Sequence, residues 1–361
     1  MIDVDYGYAN ARIRGMKSRL LDRRTLDELA AKHDVDALVV ELEKTPYKDD
    51  LAEASTRYAG IYCVEYALRR NYTRTFRKIL GLVRGERAET YVRIFLHRWD
   101  VQNIKTVLRG KSFHTPQDEI FECLVPAGDL DEVTLGEMIK QPDVKSVIDL
   151  LATWHVPYAR PLTRHFKEYA DEHNLIVLES ALDRFYYRTA LEAVTDREES
   201  LLKWDDSSYD EWLVRDMLTT EIDVVNIKTV LRMIRDEISP ADAGGYLIDG
   251  GRLRPGFLLA MLEAKGLEAA IERLKGTRYE FLGEVPAEAF RGEKVSEFEK
   301  RLDRFLIARG LGAFRRDPLS IAVAIGYYWA KYNEITNLRI IARCKTADVP
   351  DEVLKGELYY V

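Results

Sequence analysis

The sequence predicts an all-α protein assembled from three related helical units. Three observations carry that expectation. Leu, Ala, Glu, Lys and Arg dominate the 361 residues, against only 21 Gly and 11 Pro, a composition that favours helices over a turn-rich β architecture. No segment alternates apolar and polar residues in a sustained way, so half-buried strands are not expected. Most telling, the heptapeptide NIKTVLR at Asn103–Arg109 recurs at Asn226–Arg232, with a degenerate copy, NEITNLR, at Asn333–Arg339.

Taken in chain order, the elements follow from the same repeat. A first block opens at Leu21, Leu130 and Leu253, each five residues before another leucine: Leu26, Leu135 and Leu258. Thr25–Glu28 and Thr134–Glu137 read as capping boxes that start helices at equivalent positions. Val35, Val39 and Leu42 then form a stripe at helical spacing, matched by Val144, Ile148 and Leu151 and by Leu267, Ile271 and Leu274. Each block closes on a tyrosine: Tyr47, Tyr158 or Tyr279. A further block reads ALRRNYTRTF from Ala67, ALDRFYYRTA from Ala181 and RLDRFLIARG from Arg301, and the NIKTVLR-type helix follows each time.

Between these blocks lie the stops. Thr115-Pro116-Gln-Asp118 reads as an N-cap, a first-turn proline and an acidic residue at the helix start. Ser239-Pro240, Gly244-Gly245 and Gly250-Gly251 mark loops. Ser296–Glu299 reads as a third capping box, with Phe298, Leu302, Phe305 and Leu306 on one face and Gly310 as C-cap. The aromatic run Ile321–Trp329 lacks a surrounding basic face, so it is expected to be a buried helix and not a membrane-surface one. The tail from Asp348 resembles the opening of a fourth unit that stops early. The expected units are therefore 1–114, 115–241 and 242–361, the last with a C-terminal tail.

Composition bounds function. The net charge of −7 is uneven: residues 1–118 carry 22 Lys and Arg against 17 Asp and Glu, and the remainder carries 32 against 44. Such a division suits two surfaces with different partners. The longest uncharged apolar stretch, Pro318–Ala330, has 13 residues, short of the roughly 20 that span a bilayer. No apolar signal segment opens the chain, and Cys63, Cys123 and Cys344 form no disulfide or zinc spacing, which suits a reducing cytosolic compartment.

The sequence carries no recognisable reactive constellation. Gly110-Lys111-Ser112 resembles the end of a phosphate-binding loop, but Lys105 stands where the first glycine belongs and the segment follows a helix. No GxGxxG, HExxH or GxSxG is present, and the six histidines form no ligand cluster. The expectation is a non-enzyme with no catalytic, cofactor-binding or metal-binding residues. The stretch Arg69–Arg98 holds nine basic and two acidic residues interleaved with Tyr72, Phe76, Tyr91 and Phe95. Nucleic-acid binding is set aside there in favour of aromatics facing a core. Asn103, Asn226 and Asn333 are expected to make equivalent buried hydrogen bonds in each repeat, and Arg109, Arg232 and Arg339 share that structural reading.

The opening DYGYANARIRGMKSRLL (Asp5–Leu21), the NIKTVLR repeat with Gly110-Lys111 after its first copy, and the closing ELYYV (Glu357–Val361) resemble the C-type component of the archaeal A-type rotary ATP synthase, a family shared with the d-type component of V-type ATPases. The likeness spans the whole chain, including its length and threefold repetition; the third copy, NEITNLR, departs from the pattern. The resemblance implies three helical subdomains in a pseudo-threefold, funnel-shaped arrangement. It implies a non-catalytic rotor component, one copy per complex. That component couples the membrane proteolipid ring to the central stalk, built of the D and F proteins, during ion-driven ATP synthesis or ATP-driven ion transport. The site would be the cytoplasmic face of the cell membrane, as a peripheral protein, with no nucleic acid and no cofactor. Partner-binding residues are not named by the sequence. The alternative reading is a generic helical-repeat adaptor for other partners; an enzyme with an unrecognised site is a third.

Overall fold

The computed structural model describes residues 6–83, 86–195, 206–264, 266–285, 290 and 295–360. Among them every regular element is a helix. Eight helices open the chain: α1 (Gly7–Lys17), α2 (Arg23–Ala30), α3 (Val35–Leu42), α4 (Lys48–Ala54), α5 (Gly60–Leu82), α6 (Glu86–Ser112), α7 (Gln117–Glu122) and α8 (Glu132–Lys140). Seven follow: α9 (Val144–Thr153), α10 (Ala159–Glu172), α11 (Leu175–Thr195), α12 (Asp206–Arg235), α13 (Pro240–Ala243), α14 (Pro255–Leu262) and α15 (Leu267–Glu272). After a 3-10 turn at Glu280–Glu284 come α16 (Val295–Gly312), a second 3-10 turn at Ala313–Arg315, α17 (Ala322–Thr346) and α18 (Asp351–Glu357).

The chain forms two compact units. One holds residues 1–147 together with 309–361, and the other holds 148–308. In the first, α17 is the centrepiece. Ile321 to Trp329 are all buried, as expected of that aromatic run. Tyr328 packs against Phe76 and Phe95, both at 5.5 Å between ring centroids, and Tyr72 meets Phe76 at 4.5 Å. Tyr72, Phe76, Tyr91 and Phe95 are thus core residues, and their rings are not available as stacking platforms for bases. In the second unit, α12 carries the core through Leu213, Met217, Ile222, Ile227 and Leu231, with Leu258, Met261 and Leu274 also buried.

The helical stripe of the repeated block is buried at eight of its nine positions, and Val39 is half-buried. The capping details shift. The N-cap of α2 is Asp22, which accepts from the Thr25 backbone N–H at 2.8 Å, and that of α8 is Asp131, which accepts from the Thr134 N–H at 2.8 Å. Thr25 and Thr134 are therefore third residues of their helices, and aspartate, an equally good cap, takes the end. The third copy replaces that aspartate with Arg254 and starts the helix on Pro255. Pro116 is the N-cap of α7 and not its first helical residue. Residues 291–294 lie outside the described residues, and Ser296 is already inside α16, so it is no N-cap. Gly310 is also interior: a Cβ there would stand 2.1 Å from Trp329 Cγ, so glycine allows α16 and α17 to touch. It does not end the helix.

Candidate functional site

Three long helices carry the same pair of side chains three residues apart, hence on one face: Asp100 and Asn103 on α6, Asp223 and Asn226 on α12, Glu334 and Asn337 on α17. All six are buried, with 0–3 % exposure. Each asparagine grips both backbone polar groups of one residue. Asn103 donates to the Val125 carbonyl (2.7 Å) and accepts from the Val125 N–H (2.8 Å). Asn226 does the same with Ile248 (2.8 and 2.9 Å), and Asn337 with Tyr359 (3.1 and 2.8 Å). The partner lies 22 residues downstream in every case. A side-chain amide carries an acceptor and a donor side by side, so it can satisfy a residue's N–H and C=O together.

Each carboxylate receives the backbone N–H of the leucine that opens the repeated block. Leu130 donates to Asp100 Oδ1 (2.9 Å), with Asp129 N–H on Oδ2 (2.9 Å). Leu253 donates to Asp223 Oδ1 (2.9 Å), and Leu21 donates to Glu334 Oε2 (2.6 Å). Gly128 and Gly251 make room for the two aspartates, since a Cβ at either would come within 2.4 Å of a carboxylate oxygen. Tyr279 Oη donates to Asp223 (2.9 Å) and Tyr47 Oη to Glu334 (2.6 Å), so two of the block-closing tyrosines meet the clamp as well. Burial pushes the Asp100 carboxyl up to about 6, with its two backbone hydrogen bonds pulling the other way, and raises Asp223 for the same reason. Burial, reinforced by Glu334, drives the Tyr47 phenol well above its ordinary value.

The same geometry ends each helix. Eleven residues after the clamp asparagine stand His114, Glu237 and Asp348, with φ of 53°, 53° and 49°. The next N–H bonds back to the fifth preceding carbonyl: Thr115 to Gly110 (2.8 Å), Ile238 to Met233 (2.9 Å), Val349 to Cys344 (2.9 Å). That is a left-handed helix stop built without glycine. Residues 348–360 thus repeat 114–126 and 237–249, which is what the opening of a further unit would look like. Its continuation is Leu21, held by Glu334.

A model of the ATP synthase (C/AC39) subunit family matches residues 9–357. The chain belongs to that family. It is 30% identical over 364 residues to the C-type component of the A-type ATP synthase of Methanosarcina acetivorans, covering 99% of this chain and 93% of the relative. The corresponding protein of Methanocaldococcus jannaschii is 28% identical over 356 residues, 98% of this chain and 86% of the relative. That of Haloquadratum walsbyi is 28% identical over 353 residues, 97% of each. The family is a structural component of the membrane-associated A-type ATP synthase, not a catalytic one. Among the described residues, no helix is long and apolar enough to cross a membrane, and no three His, Cys, Asp or Glu side chains are grouped to hold a metal ion.

Within this C/AC39 chain the structure revises the repeat register. The equivalent of Asn103 and Asn226 is Asn337, not Asn333, whose Nδ2 makes one longer bond to the Tyr359 carbonyl (3.3 Å). Arg343, and not Arg339, then matches Arg232; Arg339 matches Lys228. The pairing follows: Lys228 and Arg232 bind Asp303 and Glu299 on α16 (both 2.5 Å), while Arg339 and Arg343 share Glu65 on α5 (2.9 and 3.0 Å). The signal that could have shown this is the acidic residue three before the asparagine, which only the Asn337 register preserves. Lys111, in the loop-like Gly110-Lys111-Ser112, is buried and donates Nζ to the Ile139 carbonyl, a structural task and not phosphate binding. Of the surface arginines, Arg74 is engaged by the buried Asp50 (2.9 Å), and Arg77 is exposed.

Proposed function

We propose that this protein is the coupling element of the rotor. It sits as a single copy between the proteolipid ring and the D–F stalk, at the cytoplasmic face, and transmits torque without chemistry of its own. Three homologous subdomains, 1–114, 115–241 and 242–361, are arranged about a pseudo-threefold axis as a funnel. The observation that carries the reading is the recurrence of one clamp three times, the last of which ties the chain's final long helix to its opening block through Glu334 and Leu21. A last long helix that holds the opening block through its backbone resists local fraying of that block, a property suited to an adaptor under torsional load. Buried, backbone-saturated polar groups add stiffness to it. The basic first third is taken to face an acidic surface on ring or stalk.

The test is native mass spectrometry of the complex assembled from this chain, the detergent-solubilised ring and the D–F pair. One copy bridging ring and stalk is expected. Absence of association with either would remove the coupling reading and leave a generic adaptor. Arg77→Gln sharpens the electrostatic part: it should weaken that assembly while lowering the thermal midpoint only slightly, because Arg77 is exposed and acts on the fold only through its charge near Asp131, the α8 cap. An unaltered assembly would remove the acidic-surface part alone.

A further inference from the structure

The third clamp carries smaller side chains on its long helix than the other two do. Seven and four residues before the clamp asparagine stand Leu96 and Trp99 on α6, Thr219 and Ile222 on α12, and Ala330 and Asn333 on α17. The spacing puts each pair on the clamp side of its helix. In the first copy the indole belongs to the packing: Trp99 Nε1 donates to Tyr72 Oη at 3.0 Å, with the ring centroids 5.1 Å apart. In the third copy a methyl and a short amide stand there instead, and a hollow of about 350 Å³ opens beside them. Its apolar wall comes from Leu20, Leu21 and Leu26 of the opening block, Leu311 of α16 and Ala330.

The charged groups at the hollow are already engaged. Glu334 is held by the Leu21 N–H, Tyr47 and Lys331. Asp22 caps α2, accepting from the Thr25 N–H (2.8 Å) and Oγ1 (2.7 Å). Arg23 lies over the Tyr360 ring at 4.5 Å, with Asp27 at 3.9 Å. One polar group is under-used. Asn333 donates to the Tyr359 carbonyl at 3.3 Å and accepts from Asn337 Nδ2 at 3.4 Å, both long for such bonds. Its amide keeps an N–H and a lone pair for a further partner. Leucine side chains and one amide, with the neighbouring charges engaged, suit an uncharged ligand that has a flat apolar body and one hydrogen-bonding group.

We propose that this hollow is a binding site for a small uncharged aromatic molecule of about indole size. The rings fill the space beside Ala330, among the leucines, and the Asn333 amide bonds the polar edge. The ligand then touches the opening block, α16 and α17 at once and braces the third clamp. The site is separate from the ring-and-stalk reading, and each can fail without the other.

The experiment titrates indole into the full chain labelled at its leucine methyls and follows their NMR signals. Saturable shifts at Leu20, Leu21, Leu26 and Leu311 are expected, with Leu213 and Leu231 in the core around α12 unmoved. A dissociation constant of about 1 mM is expected for so small a ligand. At about 5 mM indole the thermal midpoint should then rise by about 1–2 °C. Indole-3-acetate and tryptamine, which add a charge of either sign, should bind at least about fivefold more weakly. Refilling the hollow with the first copy's residues, Ala330→Leu with Asn333→Trp, should weaken indole binding at least about tenfold. Should that double variant fail to fold, Asn333→Leu, which removes the amide and fills part of the space, should weaken binding about fivefold. No saturable shift, shifts spread over leucines away from the hollow, either ion binding as tightly as indole, or a folded refilled variant that binds as the parent does would each overturn the proposal.

Discussion

The clamp at Glu334 and the clamps at Asp100 and Asp223 make one kind of bond under different demands. Asp100 and Asp223 reach leucines 30 residues downstream, and Glu334 reaches one 313 residues away, at the other end of the chain. Closing the longer loop costs more chain entropy, although the cost grows only slowly with length. The third clamp is correspondingly better equipped. Its side chain is longer by a methylene, and Lys331 bonds both Glu334 Oε1 (2.6 Å) and Tyr47 Oη (2.9 Å). Tyr360 also donates to Asp27 on α2, with Arg23 over its ring at 4.5 Å. Removing Glu334 should accordingly be the most damaging single change. Glu334→Ala leaves the buried Lys331 charge unpaired and the Leu21 N–H without its partner, a loss of about 3–5 kcal/mol. Asp223→Ala strands backbone and phenol donors but no cation and should cost about 2–3 kcal/mol. Denaturant unfolding of the two variants compares them. Equal losses would show that the ion pair, and with it the difference between the clamps, is energetically idle.

The asparagines sharpen the comparison. Asn226→Ala removes the partners of both the Ile248 N–H and the Ile248 carbonyl in a buried setting, at about 2–3 kcal/mol. Asn337→Ala should match it, because Tyr359 is held in the same way. Asn333→Ala should cost less than about 1 kcal/mol, since only two long bonds are lost, its Nδ2 to the Tyr359 carbonyl (3.3 Å) and its Oδ1 from Asn337 Nδ2 (3.4 Å). Melting temperatures of the three variants decide the register. An Asn333 variant as damaged as the other two would restore the NEITNLR alignment.

Much of this was legible in the sequence, and the failures have a physical cause. Helical class, the buried stripe, the core position of Tyr72, Phe76, Tyr91 and Phe95, and the structural use of Asn103 and Asn226 all follow from periodicity and repetition. The misread register at Asn333 arose because identity was weighed over the whole heptapeptide. What the fold preserves is narrower: an acid, then an asparagine three residues on. Asp100 and Asp223 lie just outside the heptapeptide, and Glu334 inside the degenerate copy has no acidic counterpart at Ile104 or Ile227. Leu21, Leu130 and Leu253 stand out in the sequence by their side chains, yet it is their N–H groups that the clamps hold. Backbone donors leave no trace in residue type. The caps at Asp22 and Asp131 were missed for a related reason: Thr25 and Thr134 satisfy the same pattern three residues on, and only the local backbone decides between them.

A pH titration separates the clamps further. Asp100 is protonated more readily in the folded chain, at about 6, than at its ordinary 3.8. The folded state therefore holds the extra proton between these values. Stability from this group is complete below about pH 4 and is lost as pH rises through about 6, a change of roughly 3 kcal/mol. Asp223 acts in the same direction. Asp100→Asn cannot ionise, so the stability difference between parent and variant should shrink from pH 4 to 6.5. A difference that stays flat would mean that the Leu130 and Asp129 N–H groups fully offset the burial of the charge.

The smallest expected effects lie in the ion pairs that flank the clamps, and they order by exposure and not by distance. Lys228 and Arg339, two residues after the clamp asparagine, have side chains 20% and 21% exposed, whereas Arg232 and Arg343, six after it, are 56% and 63% exposed. All four contacts fall between 2.5 and 3.0 Å, so geometry alone would rank them alike. Water screens the outer pairs more effectively and leaves more side-chain entropy to lose on pairing. Double-mutant cycles should give about 1 kcal/mol for Arg339 with Glu65 and at most about 0.3 kcal/mol for Arg343 with Glu65. Because both arginines share one carboxylate, removing Arg343 should strengthen the Arg339 coupling slightly, as Glu65 no longer divides its field. Equal couplings would show that the shared carboxylate, and not solvent exposure, sets the strength of these contacts.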